Sequence, residues 1–227
     1  MCKMNATPLV SIKVENLTVD NDLKQEIASP GSDHRYGVNL IARPSQAVLA
    51  YIAKVQSYLK EHAPAQYYYP PAELHLTCIE ICSSCSSFGE VENVAKQVAR
   101  YMQPFRIIAA PVVSTPMMNC TSNACALDFS QFEALQDARM LIAAYLQQQG
   151  VKITPRYLPK SAHITFMRYL APLTIPLDTW RTILADAPCP PDGLTWRIDR
   201  LWLTYGATWY GRRSCITIRK EKICFHL

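Results

Sequence analysis

Leu74-His75-Leu76-Thr77-Cys78 and Ala162-His163-Ile164-Thr165-Phe166 carry one pattern, His-x-Thr, inside apolar runs. Both runs read as strands, over 74–81 and 162–169. In a strand, residues i and i+2 point the same way. Each run therefore presents an imidazole and a hydroxyl side by side: His75 and Thr77 with Ile79 and Ile81, and His163 and Thr165 with Met167. Leu76 and Ile164 face the other way. One His-x-Thr is unremarkable in a chain with five His. Two, both in apolar strands, suggest that each half of a duplicated fold supplies one.

Outward from these runs, periodicity supplies the rest. Residues 36–42 read as a buried strand. Ser45 is an N-cap for a helix over 46–61, where Val48, Leu49, Ile52, Val55, Tyr58 and Leu59 recur at helical spacing. Tyr67-Tyr68-Tyr69-Pro70-Pro71 reads as an extended loop, and 90–102 as a helix. Residues 105–114 and 124–129 read as strands of a hairpin across 115–123. A helix over 132–149 closes at Gly150, followed by a helix over 177–187. Strands over 196–205 and 215–225 read as an antiparallel pair completing the second lobe. This order of mixed elements with short links predicts an α+β fold with antiparallel sheet, not a doubly wound parallel one. Residues 1–33 are expected to be an N-terminal extension and 34–227 one domain of two similar lobes.

The chain has 227 residues, 49% hydrophobic and 18% charged, enough for a real core. Sixteen Pro against seven Gly argues for many loops and few glycine-cradled phosphate sites. The net charge of +5 arises wholly beyond residue 196, where Arg197, Arg200, Arg212, Arg213, Arg219, Lys220 and Lys222 face only Asp199 and Glu221. That surplus suits either an exposed strand edge or the wall of an anion-binding groove. Nine cysteines without a secretory signal favour reduced thiols and a cytoplasmic protein. No apolar run is long enough to span a membrane. Cys82-Ser83-Ser84-Cys85 reads as a Ser-rich turn; with no second CxxC, structural cysteines are favoured over zinc. No metal or other cofactor is expected.

The residue types point to acid–base chemistry. Two histidines can differ in protonation near neutral pH, one serving as general base and the other as general acid across one phosphorus. Each Thr hydroxyl can hydrogen-bond a non-bridging oxygen. The sequence shows neither a dense carboxylate cluster for two metals nor a P-loop.

This constellation resembles the 2H phosphoesterase superfamily, which includes RNA 2′,3′-cyclic phosphodiesterases and the so-called 2′-5′ RNA ligases. The resemblance covers roughly residues 36–225. It implies a bilobal α+β fold, helices packed outside two pseudo-symmetric sheets, with His75, Thr77, His163 and Thr165 in a central groove. In many relatives a basic residue lies five positions after the second His. Here that is Arg168, with an implied role in phosphate binding. Tyr69, Tyr36, Tyr205 and Trp209 are candidates for stacking a base. The expected activity is metal-independent hydrolysis of a nucleotide phosphodiester by a monomer, on a nucleotide or RNA-end substrate and with no membrane partner. The same residues would also suit a module that binds RNA ends without turning them over.

Overall fold

The computed structural model describes residues 10–85, 87–105, 110–155, 159–207 and 213–216. In chain order the elements are β1 (Val10–Lys13), α1 (Asn21–Ala28), β2 (Tyr36–Ala42), α2 (Gln46–His62), β3 (Tyr67–Tyr68), β4 (Leu76–Cys85), α3 (Phe88–Met102), β5 (Val112–Thr121), β6 (Ala124–Gln131), α4 (Glu133–Gln148), β7 (Ala162–Arg168), α5 (Leu177–Ala185), β8 (Trp196–Arg197), β9 (Trp202–Ala207) and β10 (Arg213–Ile216). The fold is α+β, built on two sheets. One runs β10-β9-β2-β4; the other runs β1-β5-β6-β7-β3, with β8 beside β5. All strand pairs are antiparallel except β1 with β5.

The helices form where apolar spacing and caps coincide. Ser45 accepts from the Val48 amide at the start of α2, which buries Val48, Tyr51, Ile52, Val55 and Leu59 on one stripe. Gly150 ends α4 at φ 79°. There its amide donates to Gln147 O and the Val151 amide to Leu146 O, the two bonds of a Schellman cap. Helix α3 packs on β2, β4 and β9, α2 on β7 and α5 on β1. Helix α4 touches β4 of one sheet and β5 of the other, so it spans the two lobes.

Several elements depart from the sequence expectation. The first hairpin strand runs over Val112–Thr121, not 105–114, and the turn shrinks to two residues. Pro116 is tolerated within β5 because it lies between Val113, which pairs with β8, and Met118, which pairs with β1, so no described strand pairs with it on that flank. The predicted strand over 196–205 is two strands: β8 joins β5, and β9 joins β2. The last strands therefore complete the sheet of the first lobe, not the second. The Cys82–Cys85 segment is the end of β4 and not a turn. Cys78 and Cys82 lie in the core, where burial pushes their thiols up to about 12. Part of the Tyr67–Tyr69 loop is strand β3, paired with β7. The extension beyond residue 9 is built into the second lobe: β1 pairs with β5, and the Asp20 amide donates to Tyr169 O.

Candidate active site

The first motif stands where the loop after Pro71 enters β4. Arg43 ties down that loop by donating to Ala72 O and Leu74 O, and the Tyr67 hydroxyl donates to Glu73 Oε2 at 2.9 Å. His75 Nδ1 lies 2.6 Å from Glu73 O. A carbonyl oxygen only accepts, so Nδ1 carries the proton of this contact.

The expected strict alternation of β4 breaks three times. Ile41 pairs with Thr77 and Leu40 with Ile79, so Cys78 is an extra residue; Ile81 is another, between Glu80 and Cys82, and the register shifts again between Cys82 and Cys85. Each bulge flips the faces. Thr77 thus lies in the row Trp202–Ile41–Thr77, whereas Ile79 lies in the core row Leu203–Leu40–Ile79.

Strand β7 carries the second motif. Asp128 of β6 stands directly opposite His163, and Ala126 opposite Thr165. Cys125 pairs with Met167, so Phe166 is an extra residue. In a regular strand Arg168 would face away from His163. The bulge turns Met167 into the core, against expectation, and brings Arg168 to the same cavity as His163 and Thr165. That cavity, about 290 Å³, is also lined by Asn119, Thr121, Asn123, Ala124, Ala126, Asp128 and Ser161. Arg168 donates from Nη1 to Asp20 Oδ2 at 3.1 Å and from Nε to the Tyr69 hydroxyl at 3.2 Å. Its Nη2 makes no bond among the described residues.

The Ser161 hydroxyl is 2.8 Å from His163 Nδ1. Burial lowers the His163 pKa below the usual histidine value; Asp128 opposes this, and the positive charges of Arg139 and Arg168 reinforce it. Asp128 is held by Asn119 Nδ2 at 2.6 Å.

The two motifs lie alongside each other. Strand β4 is the edge of its sheet and contacts β7. Arg139, on α4, donates from Nη2 to both Thr77 O and Ser161 O, each at 2.9 Å, and from Nε to Cys78 O at 2.9 Å. One nitrogen thus touches the backbone of the first motif and the residue that holds the second histidine.

Other expected contacts do not form as expected. Tyr69 is 5% exposed and offers no ring face to a base; its hydroxyl holds Arg168 instead. Tyr36 and Tyr205 pack around Phe88 of α3, at ring separations of 5.7 and 6.0 Å. Tyr205 pairs with Val38 in a core-side row, so both aromatics belong to the helix-covered face and not to that of Thr77. Trp209 lies outside the described residues. The half-exposed aromatic in the row of Thr77 is Trp202, with the Arg200 guanidinium 5.6 Å from its ring centre. Sequence reasoning missed Trp202, Asp128 and Arg139. Only Arg139 left a signal, a cation on the apolar stripe Leu135, Ala138, Ile142, Leu146.

No family model matches the chain, and neither does any curated protein. Solved structures do match. A phosphoesterase structure superposes with a TM-score of 0.52 at 15% identity, over 81% of this chain and 94% of that one. E. coli LigT matches in its complex with NADP+ (TM-score 0.51, 14% identity) and with 3′-AMP (0.50, 12%), each over 81% of this chain and 94% of LigT. The likeness is one of fold: the chain shares its α+β architecture with the phosphoesterase structure and with LigT.

Proposed function

We propose that this protein is a metal-independent phosphodiesterase acting on a nucleotide phosphodiester: a 2′,3′-cyclic phosphate end, a 2′-5′ linkage or a cyclic nucleotide. His75 and His163 are its acid–base pair. The observation that carries this is the bridge through Arg139 Nη2, which joins Thr77 of one His-x-Thr to Ser161 beside the other. The fold supports it, being shared with a phosphoesterase and with LigT, itself seen with bound nucleotides.

The chemistry follows from the surroundings of each imidazole. Burial favours neutral His163, which suits it to take the proton of an attacking water. As the new P–O bond forms, the ester P–O bond breaks. The departing ribose oxygen takes a proton from His75 Nε2, since Nδ1–H is occupied by Glu73 O. A cyclic phosphate thereby becomes a phosphomonoester, and solvent resets both histidines. Thr77 and Thr165 donate to non-bridging oxygens, and Arg168 Nη2 adds the counter-charge. The two imidazoles supply both proton transfers, so the scheme needs no metal.

Hydrolysis of nucleoside 2′,3′-cyclic phosphates and cyclic dinucleotides in excess chelator tests this reading. Salt-sensitive binding of RNA ends without hydrolysis of any of these substrates would contradict it and favour a non-catalytic module.

A further inference from the structure

Arg139 stands on the inward stripe of α4 and is 5% exposed. Its acceptors among the described residues are the carbonyls of Thr77, Cys78 and Ser161 and the side-chain oxygen of Gln136. No carboxylate pairs with it among those residues. Burying a cation without a counter-ion is costly, and an apolar side chain would fill such a stripe better. Stability alone is a poor reason for this residue.

Its three main-chain contacts give a better one. Consecutive carbonyls of a regular strand point opposite ways, yet Thr77 O and Cys78 O both reach this one guanidinium. The bulge at Cys78 permits that. Among the described strands, β4 and β7 share no backbone ladder. Where the sheets part, Arg139 ties the Thr77–Cys78 bulge of the first motif to Ser161. The Ser161 hydroxyl in turn holds the His163 ring. We propose that Arg139 is the positioning residue of the paired-histidine site, fixing the spacing between the two motif strands so that both imidazoles meet one phosphate. This rests on the function proposed above. The charged groups around His163 are Asp128 on β6, Arg168 on β7 and Arg139 on α4.

Two variants test it. Arg139→Lys keeps the charge but cannot span three carbonyls. Arg139→Met removes the charge and suits the apolar stripe. Folding is read by circular dichroism and Tm. Positioning predicts that folded Arg139→Lys loses about a hundredfold in kcat on a nucleoside 2′,3′-cyclic phosphate, as misplacement by an ångström can cost, while KM moves little. It also predicts that folded Arg139→Met is inactive however stable it is. A kcat within about twofold of wild type in either folded variant overturns the proposal, since a misplaced pair costs far more. Loss of folding in both variants assigns Arg139 to stability and also overturns it. A second readout needs no turnover. Inorganic phosphate, followed by 15N NMR, should perturb both His75 and His163 in the wild type but only one in Arg139→Lys. Equal responses in the two proteins would contradict the proposal. If the wild type hydrolyses nothing, the functional reading fails, while this arm still decides on Arg139.

Discussion

Asp128 stands directly opposite His163 across the β6–β7 pair, its carboxylate fixed by Asn119 at 2.6 Å. The carboxylate favours the charged imidazole, but burial and two guanidinium groups outweigh it. The acid limb of kcat/KM should therefore lie below the ordinary histidine value of 6.5. Asp128→Asn removes the one opposing charge, so the limb should move to still lower pH in its pH–rate profile. A limb that rises in this variant would contradict the assignment. Stability should follow the same group. The folded state resists protonating His163, so its contribution is present above about 6.5 and lost as pH falls below it.

The Arg168 guanidinium is shared between structure and groove. Asp20 caps α1 through Oδ1 and pairs with Arg168 through Oδ2. Asp20→Asn should keep the cap, since Asn is as good there, but lose the ion pair. We expect Tm to change little and KM to rise severalfold. Asp20→Ala loses both and should also cost about 1 kcal/mol of stability. Equal KM values in wild type and Asp20→Asn would show that the pair does not orient Arg168.

Trp202 shares a cross-strand row with Thr77, while Tyr205 lies on the helix-covered face with Phe88. Stacking of one base is worth about 1–3 kcal/mol. Trp202→Ala should therefore raise KM for a nucleotide substrate roughly tenfold or more, by that stacking energy. Tyr205→Leu, which removes the ring, should leave it unchanged in protein that stays folded. The reverse order of effects in steady-state kinetics would return base recognition to Tyr205.

The sequence made legible whatever is periodic. The helices over Gln46–His62 and Glu133–Gln148, with Ser45 and Gly150 as their stops, follow from apolar spacing and capping chemistry. Bulges were not legible. Nothing in Thr77-Cys78-Ile79 or Thr165-Phe166-Met167 announces an extra residue, yet those residues reverse the faces beyond each motif. Arg168 reaches the cavity of His163 only because of one of them. Its candidacy came from resemblance, and alternation alone would have rejected it. Long-range partners were also hidden. Asp20 meets Arg168, and Arg139 meets Thr77 and Ser161, only once the two sheets are assembled. The C-terminal charge surplus proves to begin in β8 and continue past β9, with Arg200 against Trp202.

The most direct measurement is turnover of nucleoside 2′,3′-cyclic phosphates in excess chelator by the wild type, His75→Ala and His163→Ala. The expected result is wild-type hydrolysis to phosphomonoesters unaffected by the chelator. Each single variant should lose at least about a hundredfold in kcat, the scale of a lost general acid or base. Loss of wild-type turnover on chelation, or undiminished turnover in either variant, would contradict the paired-histidine mechanism.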